Sequence, residues 1–291
     1  MDYENIIENQ SFDEERALYN LKNTLVQNCV FAGKLDGESV LKETRHIAVK
    51  DCQFSLRYPL WHAQNYRLIN SSLDELTRAP IWYSHHGLID HCTIEGIKIL
   101  RECSDTLVQN CTINSPEFGW YSHDITVKDS MINSEYIFLN TDNVKADHLK
   151  FSGKYSFQYM HHVEINDSYL DTKDAFWHSE DIVVKDSVLK GEYLAWFSKN
   201  LTLINCQIIG TQPFCYCDNL KLVNCEMIDT DLAFEYSDVE ADIKGHVISI
   251  KNPKSGTIVV DSVDEIIHED PIMEVNGKVV IREDIKVGCT C

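Results

Sequence analysis

Hydrophobic and polar positions recur along this chain at a spacing that settles at nineteen residues. Short phrases such as Leu-Val-Gln-Asn-Cys-Thr-Ile mark the repeat, and one position in each copy serves as its reference residue. The reference residues are Cys29, Cys52, Ser71, Cys92, Cys111, Ser130, Leu149, Ser168, Ser187, Cys206 and Cys225. The positions three before and two after each of them are apolar in every copy. A repeat this short cannot bury an apolar face alone, so successive copies are predicted to stack into a solenoid.

The residues between these apolar columns predict strands and corners. They are polar or charged, which is the period-two pattern of a strand with one buried face. A helical solenoid would need apolar spacings of three and four sustained over longer repeats. The positions six before and one before the reference hold Asn, Asp or His, and Asn and Asp tolerate left-handed corner angles. Pro59, Pro80 and Pro213 share the position twelve before, which predicts a third corner or a strand start.

The ladders of Asn and of Cys or Ser resemble the single-stranded right-handed β-helix of the pectate-lyase-like superfamily. The repeats around Cys206 and Cys225, together with the segment Ile250–Gly256, resemble more closely a family of uncharacterised bacterial β-helix proteins. The resemblance covers nearly the whole chain. It implies an all-β, right-handed parallel β-helix of about 19 residues per coil with three faces per coil. It implies no activity, because that family has no assigned chemistry and the fold hosts lyases, hydrolases, isomerases and adhesins.

The repeat also predicts the domain limits. Residues 1–17 are acidic and irregular and are predicted to form an N-terminal cap over the open first coil. Residues 18–250 are predicted to form the β-helix. Residues 251–291, where the register fades, are predicted to hold the last irregular coils and a C-terminal hairpin cap. The hairpin prediction depends on Val275–Lys278, which contains the two-residue turn signal Asn-Gly.

Cysteine use and the N-terminal sequence predict a cytoplasmic protein. The chain has 11 cysteines, an odd number, and six of them share a column in which Ser substitutes from coil to coil. Such a column is packing space, so disulfides are not expected there. The sequence begins without a basic region and apolar run, and no stretch is long enough to span a membrane. Cys289 and Cys291 form a Cys-x-Cys pair, for which a metal or redox role and no role at all both stay open.

The net charge of −20 restricts the partners. Such a surface repels nucleic acid, anionic membranes and polyuronic acids unless a cation intervenes, so neither nucleic acid nor a membrane is expected as a partner. The chain also has no phosphate-binding loop, nucleophile elbow, zinc-protease helix or Cys-x-x-Cys pair, and no cofactor or metal is predicted.

All five tryptophans of the chain lie ten residues before a reference residue, and the next column is also rich in aromatic residues. The tryptophans are Trp61, Trp82, Trp120, Trp177 and Trp196, and the tyrosines nine before the reference include Tyr83, Tyr121 and Tyr159. Neighbouring strand residues face opposite sides, so one column is expected outside and the other inside. We expect the tryptophans outside, because Arg101 and Gln158 share their column and are costly to bury unpaired. The small residues eight before the reference favour the opposite arrangement, with the tryptophans inside.

An exposed aromatic row predicts carbohydrate binding, since sugar rings stack on aromatic faces and bond to polar groups at the edges. The eight aromatic residues named above are the candidate substrate-binding residues. The alternative is an aromatic ladder that only stabilises the solenoid. A non-catalytic scaffold that self-associates through this face is the rival function, because exposed apolar patches mark interfaces.

The column seven before the reference holds the candidate catalytic residues. They are Asp142, His123, His161 and Glu180, with Arg101 and Glu102 flanking them. Asp142 could hold one histidine as a general base while Glu180 acts as the acid, about 9.6 Å away by coil stacking. This arrangement predicts a glycoside hydrolase or a lyase-like enzyme, if the protein is an enzyme. A divalent metal site and a solvated row of alternating charges are the alternatives.

Overall fold

The computed structural model describes residues 3–282, so Cys289 and Cys291 lie outside the described residues. The chain divides into two compact units, residues 1–152 and residues 153–291. The predicted limits of the β-helix, residues 18 and 250, fall inside these units. No helix among residues 3–282 is long and apolar enough to cross a membrane.

Short strands make up the first unit. They are β1 (Asn5–Glu8), β2 (Ser11–Phe12), β3 (Lys22–Gln27), β4 (Val30–Phe31), β5 (Arg45–Lys50), β6 (Gln53–Phe54), β7 (Leu60–Trp61), β8 (Gln64–Ile69), β9 (Ser72–Leu73), β10 (Ile81–Trp82), β11 (His85–Asp90), β12 (Thr93–Glu95), β13 (Ser104–Gln109), β14 (Thr112–Asn114), β15 (Glu117–Phe118), β16 (His123–Lys128), β17 (Met131–Ser134), β18 (Tyr136–Ile137) and β19 (Asp142–Asp147). The next strand, β20 (Lys150–Gly153), ends at the first residue of the second unit.

The second unit begins with short strands and ends with long ones. They are β21 (His161–Asn166), β22 (Tyr169–Asp171), β23 (Glu180–Lys185), β24 (Val188–Lys190), β25 (Lys199–Ile204), β26 (Gln207–Ile209), β27 (Leu220–Ile228), β28 (Asp238–Lys251), β29 (Ser255–Ile267) and β30 (Lys278–Ile281).

The strands pair in parallel with the register that the repeat predicts. In the first unit Thr106 of β13 lies beside Ile125 of β16, nineteen residues further along the chain. In the second unit Val163 of β21 lies beside Ile182 of β23. A typical coil of the first unit contains a six-residue strand and two shorter ones, so three faces surround the core. The predicted fold class, an all-β right-handed parallel β-helix of about 19 residues per coil, is confirmed.

The corners have left-handed backbone angles, as the Asn and Asp columns predict. In the coil that ends at Cys92 the φ angles are 53° at Tyr83, 57° at His86 and 52° at His91. These are the positions nine, six and one before the reference. The third of the predicted corners therefore lies nine before it. Pro59 and Pro80 come directly before β7 and β10, which confirms the strand start for these two, whereas no strand begins directly after Pro213.

The strict inward and outward alternation expected from the sequence is wrong at the aromatic columns. Trp82 and Tyr83 are both partly exposed, whereas Ile81 before them and Ser84 after them are buried. The left-handed residue at the corner rotates the chain, so two successive side chains point outwards before the next one points inwards. The polar residues in the tryptophan column correctly indicated that this column is outside, and the small residues eight before the reference correctly indicated that theirs is inside. Both columns of rings face outwards.

The core of each unit is a set of stacked columns. In the first unit the rings of Phe31 and Phe54 stack with centroids 4.4 Å apart, and in the second Phe157 and Phe176 stack at 5.3 Å. The reference column adds hydrogen bonds to this packing. The backbone N–H of Cys52 donates to the Ser71 hydroxyl at 3.1 Å, and that hydroxyl donates to the carbonyl of Ile69 at 2.8 Å. The nine described cysteines are buried free thiols.

The N-terminal segment is not an irregular cap. Residues Asn5–Glu8 pair in parallel with Thr24–Gln27, and Ser11–Phe12 pair with Val30–Phe31, so this segment forms a further coil at the same nineteen-residue register. The sequence analysis missed this coil because Gln10 occupies its reference position. Its apolar positions, Ile7 and Phe12, still match their columns.

The predicted C-terminal hairpin is also wrong. Strand β30 pairs in parallel with β29, where Thr257 lies beside Lys278, and residues 268–277 form no strand. Asn276 and Gly277 serve a close approach instead of a hairpin turn. The backbone N–H of Gly277 donates to the carbonyl of Pro253 at 3.0 Å, and a Cβ at Gly277 would lie 2.7 Å from the Pro253 side chain. Glycine is therefore required at position 277 by the close approach to Pro253, and the Asn-Gly pair only resembles the signal of a hairpin turn.

Candidate functional site

The tryptophans of the first unit are half-buried in its outer wall. Trp61 and Trp82 stack with ring centroids 5.3 Å apart and an interplanar angle of 2°. Their indole N–H groups donate to the backbone carbonyls of Ala79 at 2.7 Å and Lys98 at 2.6 Å. Because each ring covers the face of the other, this pair presents mainly ring edges to solvent.

The second unit repeats this arrangement. Trp177 and Trp196 stack at 5.4 Å and 5°, and the Trp177 indole donates to the Tyr193 carbonyl at 2.6 Å. Gln158 occupies the same column, and its amide donates to the Asp174 carbonyl at 2.8 Å. The polar residue in this column therefore makes the hydrogen bond that the tryptophans make.

A second aromatic row runs beside the tryptophans, one residue further along each coil. In the second unit it is unbroken: Tyr159, His178, Phe197 and Tyr216 stack in order, with ring centroids 5.1, 4.9 and 4.8 Å apart. In the first unit His62 stacks on Tyr83 at 5.1 Å and 14°. Both rows thus hold rings parallel at about the coil spacing of 4.8 Å.

The row of the first unit is interrupted after Tyr83. The next coil has Glu102 in place of a ring, and the coil after it has Tyr121, so two coils, or about 9.6 Å, separate the two tyrosines. In the tryptophan column the same coil has Arg101. Its guanidinium carbon lies 5.2 Å from the Trp82 ring centroid, 5.8 Å from that of Trp120 and 5.1 Å from that of Tyr121. The guanidinium fills the gap between the tryptophans, and no ring fills the gap between the tyrosines.

An open groove of about 510 Å³ lies at this interruption. Its lining residues are Arg101, Glu102, Tyr121 and His123. All four are candidate site residues from the sequence, and the structure brings them together in the first unit. Trp120 adjoins the groove through Arg101 and through an edge-to-face contact with Tyr121 at 6.2 Å.

His123 is held by a residue that the sequence analysis did not select. Its Nδ1 lies 2.7 Å from Oδ2 of Asp124, and the amide of Asn143 donates to Oδ1 of the same carboxylate at 3.0 Å. The hydrogen bond with His123, followed by the one from Asn143, holds the pKa of Asp124 below its usual range. Asp142 lies beside His123 in register on the next coil. Asp124 was missed because the left-handed corner turns it outwards next to His123, and strict alternation does not predict that.

The coil before His123 adds a second polar contact. Nδ1 of His85 lies 2.6 Å from the Ser104 hydroxyl oxygen, and Ser104 is the register neighbour of His123. Burial, and after it the nearby His86, His123 and His62, lower the pKa of His85. His85 therefore favours the neutral form.

The remaining candidate residues lie in the second unit. His161 and Glu180 are register neighbours in β21 and β23, and Glu180 lies beside Lys199 of β25. The row continues to Asp218, whose carboxylate pairs with the Lys254 ammonium at 3.3 Å. In this unit the column is a row of alternating charges. A joint site of Asp142, His123, His161 and Glu180 stays a prediction.

These features define the class of the protein: a parallel β-helix with aromatic ladders on its outer wall and a polar groove where one ladder is interrupted. The model of the family described as "Protein of unknown function (DUF3737)" matches residues 5–281, so the chain belongs to that family. The predicted membership of an uncharacterised β-helix family is confirmed. No curated protein sequence matches the chain.

Solved structures resemble the chain in fold. The surface adhesin PfbA of Streptococcus pneumoniae is 10% identical with a TM-score of 0.59, and the match covers 93% of this chain and 87% of PfbA. The tailspike protein of E. coli bacteriophage HK620, as a mutant in complex with a hexasaccharide, is 10% identical with a TM-score of 0.47. That match covers 91% of this chain and 60% of the tailspike chain. Identities this low show the fold alone.

Proposed function

We propose that the protein binds a carbohydrate chain at the groove formed by Arg101, Glu102, Tyr121 and His123. The observation that carries the proposal is the one-ring gap between Tyr83 and Tyr121. Rings in the unbroken part of this row are about one coil apart, as the 5.1 Å between His62 and Tyr83 shows. A sugar ring placed at Glu102 would lie about 4.8 Å from each tyrosine, which is a stacking distance for both of its faces.

The edges of the gap are polar, as a sugar requires. The Glu102 carboxylate accepts hydrogen bonds, the Arg101 guanidinium donates them, and the His123 imidazole does either. Sugar hydroxyl groups project from the ring edge, so they meet these groups while the ring faces meet aromatic carbon. The stacked tryptophans Trp61 and Trp82 offer mainly ring edges here, so the tyrosine row provides the stacking faces and the tryptophan row supports the wall.

The test is to fill the gap with a ring from the protein itself. Glu102→Tyr should complete the row, because Glu102 has a φ of 51° and the tyrosines at 83 and 121 have φ angles of 53° and 54°. The matched control is Asn140→Tyr, which adds a ring at a φ of 48° on the other side of Tyr121. Binding to a panel of neutral and acidic oligosaccharides is measured by calorimetry.

We expect Glu102→Tyr to weaken binding at least about tenfold, since stacking and hydrogen bonds together contribute more than 1.4 kcal/mol. Asn140→Tyr should bind within a factor of about three of the wild type, because a surface change away from the ligand is close to neutral. If both variants bind as the wild type does, or if no oligosaccharide of the panel binds, the proposal is wrong.

Catalysis at the bound sugar is a separate proposal. The groove combines a carboxylate, Glu102, with an imidazole, His123, which is the pairing that general acid and base catalysis uses. New reducing ends released from a bound oligosaccharide would support hydrolysis if Glu102→Gln and His123→Gln reduce the release by a larger factor than they reduce the affinity. The same assay with Asp142→Asn and Glu180→Gln tests the wider set predicted from the sequence.

The second unit favours a second candidate function, self-association. Its aromatic row is unbroken and exposed, with Tyr159 at 47% and Phe197 at 39% exposure, and exposed apolar rows of this kind mark interfaces. Light scattering should then report more than one chain per particle, and the double change of Tyr159 and Phe197 to Ser should reduce it to one. A wild-type protein with the mass of a single chain contradicts this function.

A cytoplasmic location is also proposed, because nine described cysteines are free thiols.

A further inference from the structure

Arg101 is a cation without an acidic partner in an acidic protein. The chain has 46 acidic and 26 basic residues, and Arg16, Arg57 and Arg282 each pair with a carboxylate. Arg45 and Arg78, which have no ion pair among residues 3–282 either, are exposed to solvent, whereas Arg101 is partly buried. Within residues 3–282 the Arg101 guanidinium has neither an ion pair nor a side-chain hydrogen bond, and its contacts are with rings. A half-buried guanidinium that lines a groove keeps its N–H groups for a ligand.

The rings hold this guanidinium in a defined position. It lies between the rings of Trp82 and Trp120, in the position that a ring occupies in the coils where the tryptophans stack. The Tyr121 ring, at 5.1 Å, is a third contact, and ring contacts of this kind position a guanidinium without using its N–H groups as hydrogen-bond donors. Because Arg101 and Glu102 are consecutive and both face outwards, a sugar ring in the gap at Glu102 turns one edge towards the guanidinium.

A carboxylate on that ring edge matches this arrangement. The planar fork of an arginine side chain binds a carboxylate through two parallel hydrogen bonds, and pre-positioning by the rings lowers the entropy lost on binding. The net charge of −20 limits how many carboxylates the carbohydrate can carry. A carbohydrate with a negative charge on every sugar would be repelled by the rest of the protein surface.

We propose that the groove takes an acidic carbohydrate in which a carboxylate-bearing sugar is flanked by neutral sugars, with the carboxylate on Arg101. This inference rests on the proposed function and specifies its substrate class. It agrees with the repulsion of polyuronic acids that the net charge predicts, because only isolated sugars of the chain carry a carboxylate. The charge limit still excludes a homopolymer of uronic acids.

The test uses three tetrasaccharides and calorimetry. The first alternates glucuronic acid with N-acetylglucosamine, the second is the same compound with its carboxyl groups reduced to alcohols, and the third contains galacturonic acid only. The variant is Arg101→Gln, because Gln158 shows that this column accommodates glutamine. The control is Arg16→Gln, which removes an arginine that also lies over a ring, that of Tyr19 at 5.7 Å, outside the groove.

We expect the alternating tetrasaccharide to bind the wild type at least about tenfold more tightly than its reduced form, since a charge-assisted pair contributes at least 1.4 kcal/mol. Arg101→Gln should bring that ratio to about one, because glutamine has no charge with which to distinguish a carboxylate from an alcohol. Arg16→Gln should keep the wild-type ratio, and the galacturonic acid compound should bind more weakly than the alternating one.

The outcomes separate this inference from the proposed function. Equal binding of the acidic and reduced forms by the wild type, or an unchanged ratio in Arg101→Gln, overturns the inference while carbohydrate binding stands. Tighter binding of the galacturonic acid compound also overturns it. Binding of none of the three overturns the inference, and the proposed function falls with it only if the wider oligosaccharide panel also gives no binding. Circular dichroism establishes that each variant is folded before its affinities are compared.

Discussion

The ring of Tyr66 occupies the space that a side chain at Gly87 would fill. The two residues are register neighbours in β8 and β11, and a Cβ on Gly87 would lie 2.3 Å from Cζ of Tyr66 and 2.4 Å from its hydroxyl oxygen. Tyr66 is 1% exposed, although most residues in its column are aliphatic. The large side chain of Tyr66 in one coil therefore fills the space that the missing side chain of Gly87 leaves in the next coil.

Gly87→Ala should destabilise the protein by about 1–3 kcal/mol, the cost typical of overpacking a core. The double variant Tyr66→Ile with Gly87→Ala should cost clearly less than the sum of the two single changes, because the isoleucine leaves room for the added methyl group. Ile47 and Ile125 show that the column accepts isoleucine. Urea unfolding of the four proteins gives the coupling energy, and strictly additive costs would contradict the packing relationship.

Trp177→Phe should cost about 0.5–1.5 kcal/mol through loss of the indole hydrogen bond, whose length to the Tyr193 carbonyl is 2.6 Å. The phenyl ring still stacks on Trp196, so most of the apolar contact remains. Phe197→Tyr, in the exposed neighbouring row, serves as the control and should change the unfolding free energy by less than about 0.5 kcal/mol. Equal stability of Trp177→Phe and the wild type would show that the indole contact is not stabilising.

The thiol of Cys52 should resist labelling in the folded protein. Burial raises the pKa of Cys52 to about 11, so little thiolate is present at neutral pH. Mass spectrometry after a short pulse of a maleimide reagent should find Cys52 unmodified in buffer and modified in urea. Labelling in buffer requires opening of this part of the solenoid. Rapid modification under native conditions would contradict the burial of this column.

His85 should make the protein less stable as the pH falls below neutrality. Its pKa in the folded state is lowered from the ordinary value of 6.5, so the unfolded chain binds more protons as the pH decreases through that value. The stability from neutral His85 is complete above pH 6.5 and declines until the folded state is also protonated. We expect the urea midpoint to fall between about pH 7.5 and pH 5.5, and to fall less in His85→Gln. An identical decline in the two proteins would contradict this prediction.

Much of the architecture could be predicted because each coil of a solenoid buries the same apolar positions and turns at the same corners. The apolar columns that contain Val108 and Ile113 are 0% and 1% exposed, as their spacing indicates. The corner columns contain left-handed residues, as their Asn and Asp content indicates. Predictions failed at the ends, where Gln10 breaks the reference column and where the Asn-Gly pair at 276–277 serves a close approach instead of a hairpin.

The candidate site was predicted in part. Arg101, Glu102, Tyr121 and His123 were selected because they stand in columns of unusual composition, and the structure places them together. Asp124 was not selected, since its place beside His123 depends on a backbone angle that the period-two pattern does not contain. Its signal was present in the corner column, where an acidic residue directly follows a histidine.

The sequence by itself determined the period, the parallel stacking and the residues that face the core, because burial of one apolar face per strand leaves a pattern that can be counted. Only the tertiary structure decided that both aromatic columns face outwards and that the coil with Arg101 and Glu102 in place of rings lines a groove. The physical reason is that these features depend on left-handed corners and on the distance between side chains of neighbouring coils. A linear pattern of hydrophobic and polar residues contains neither quantity.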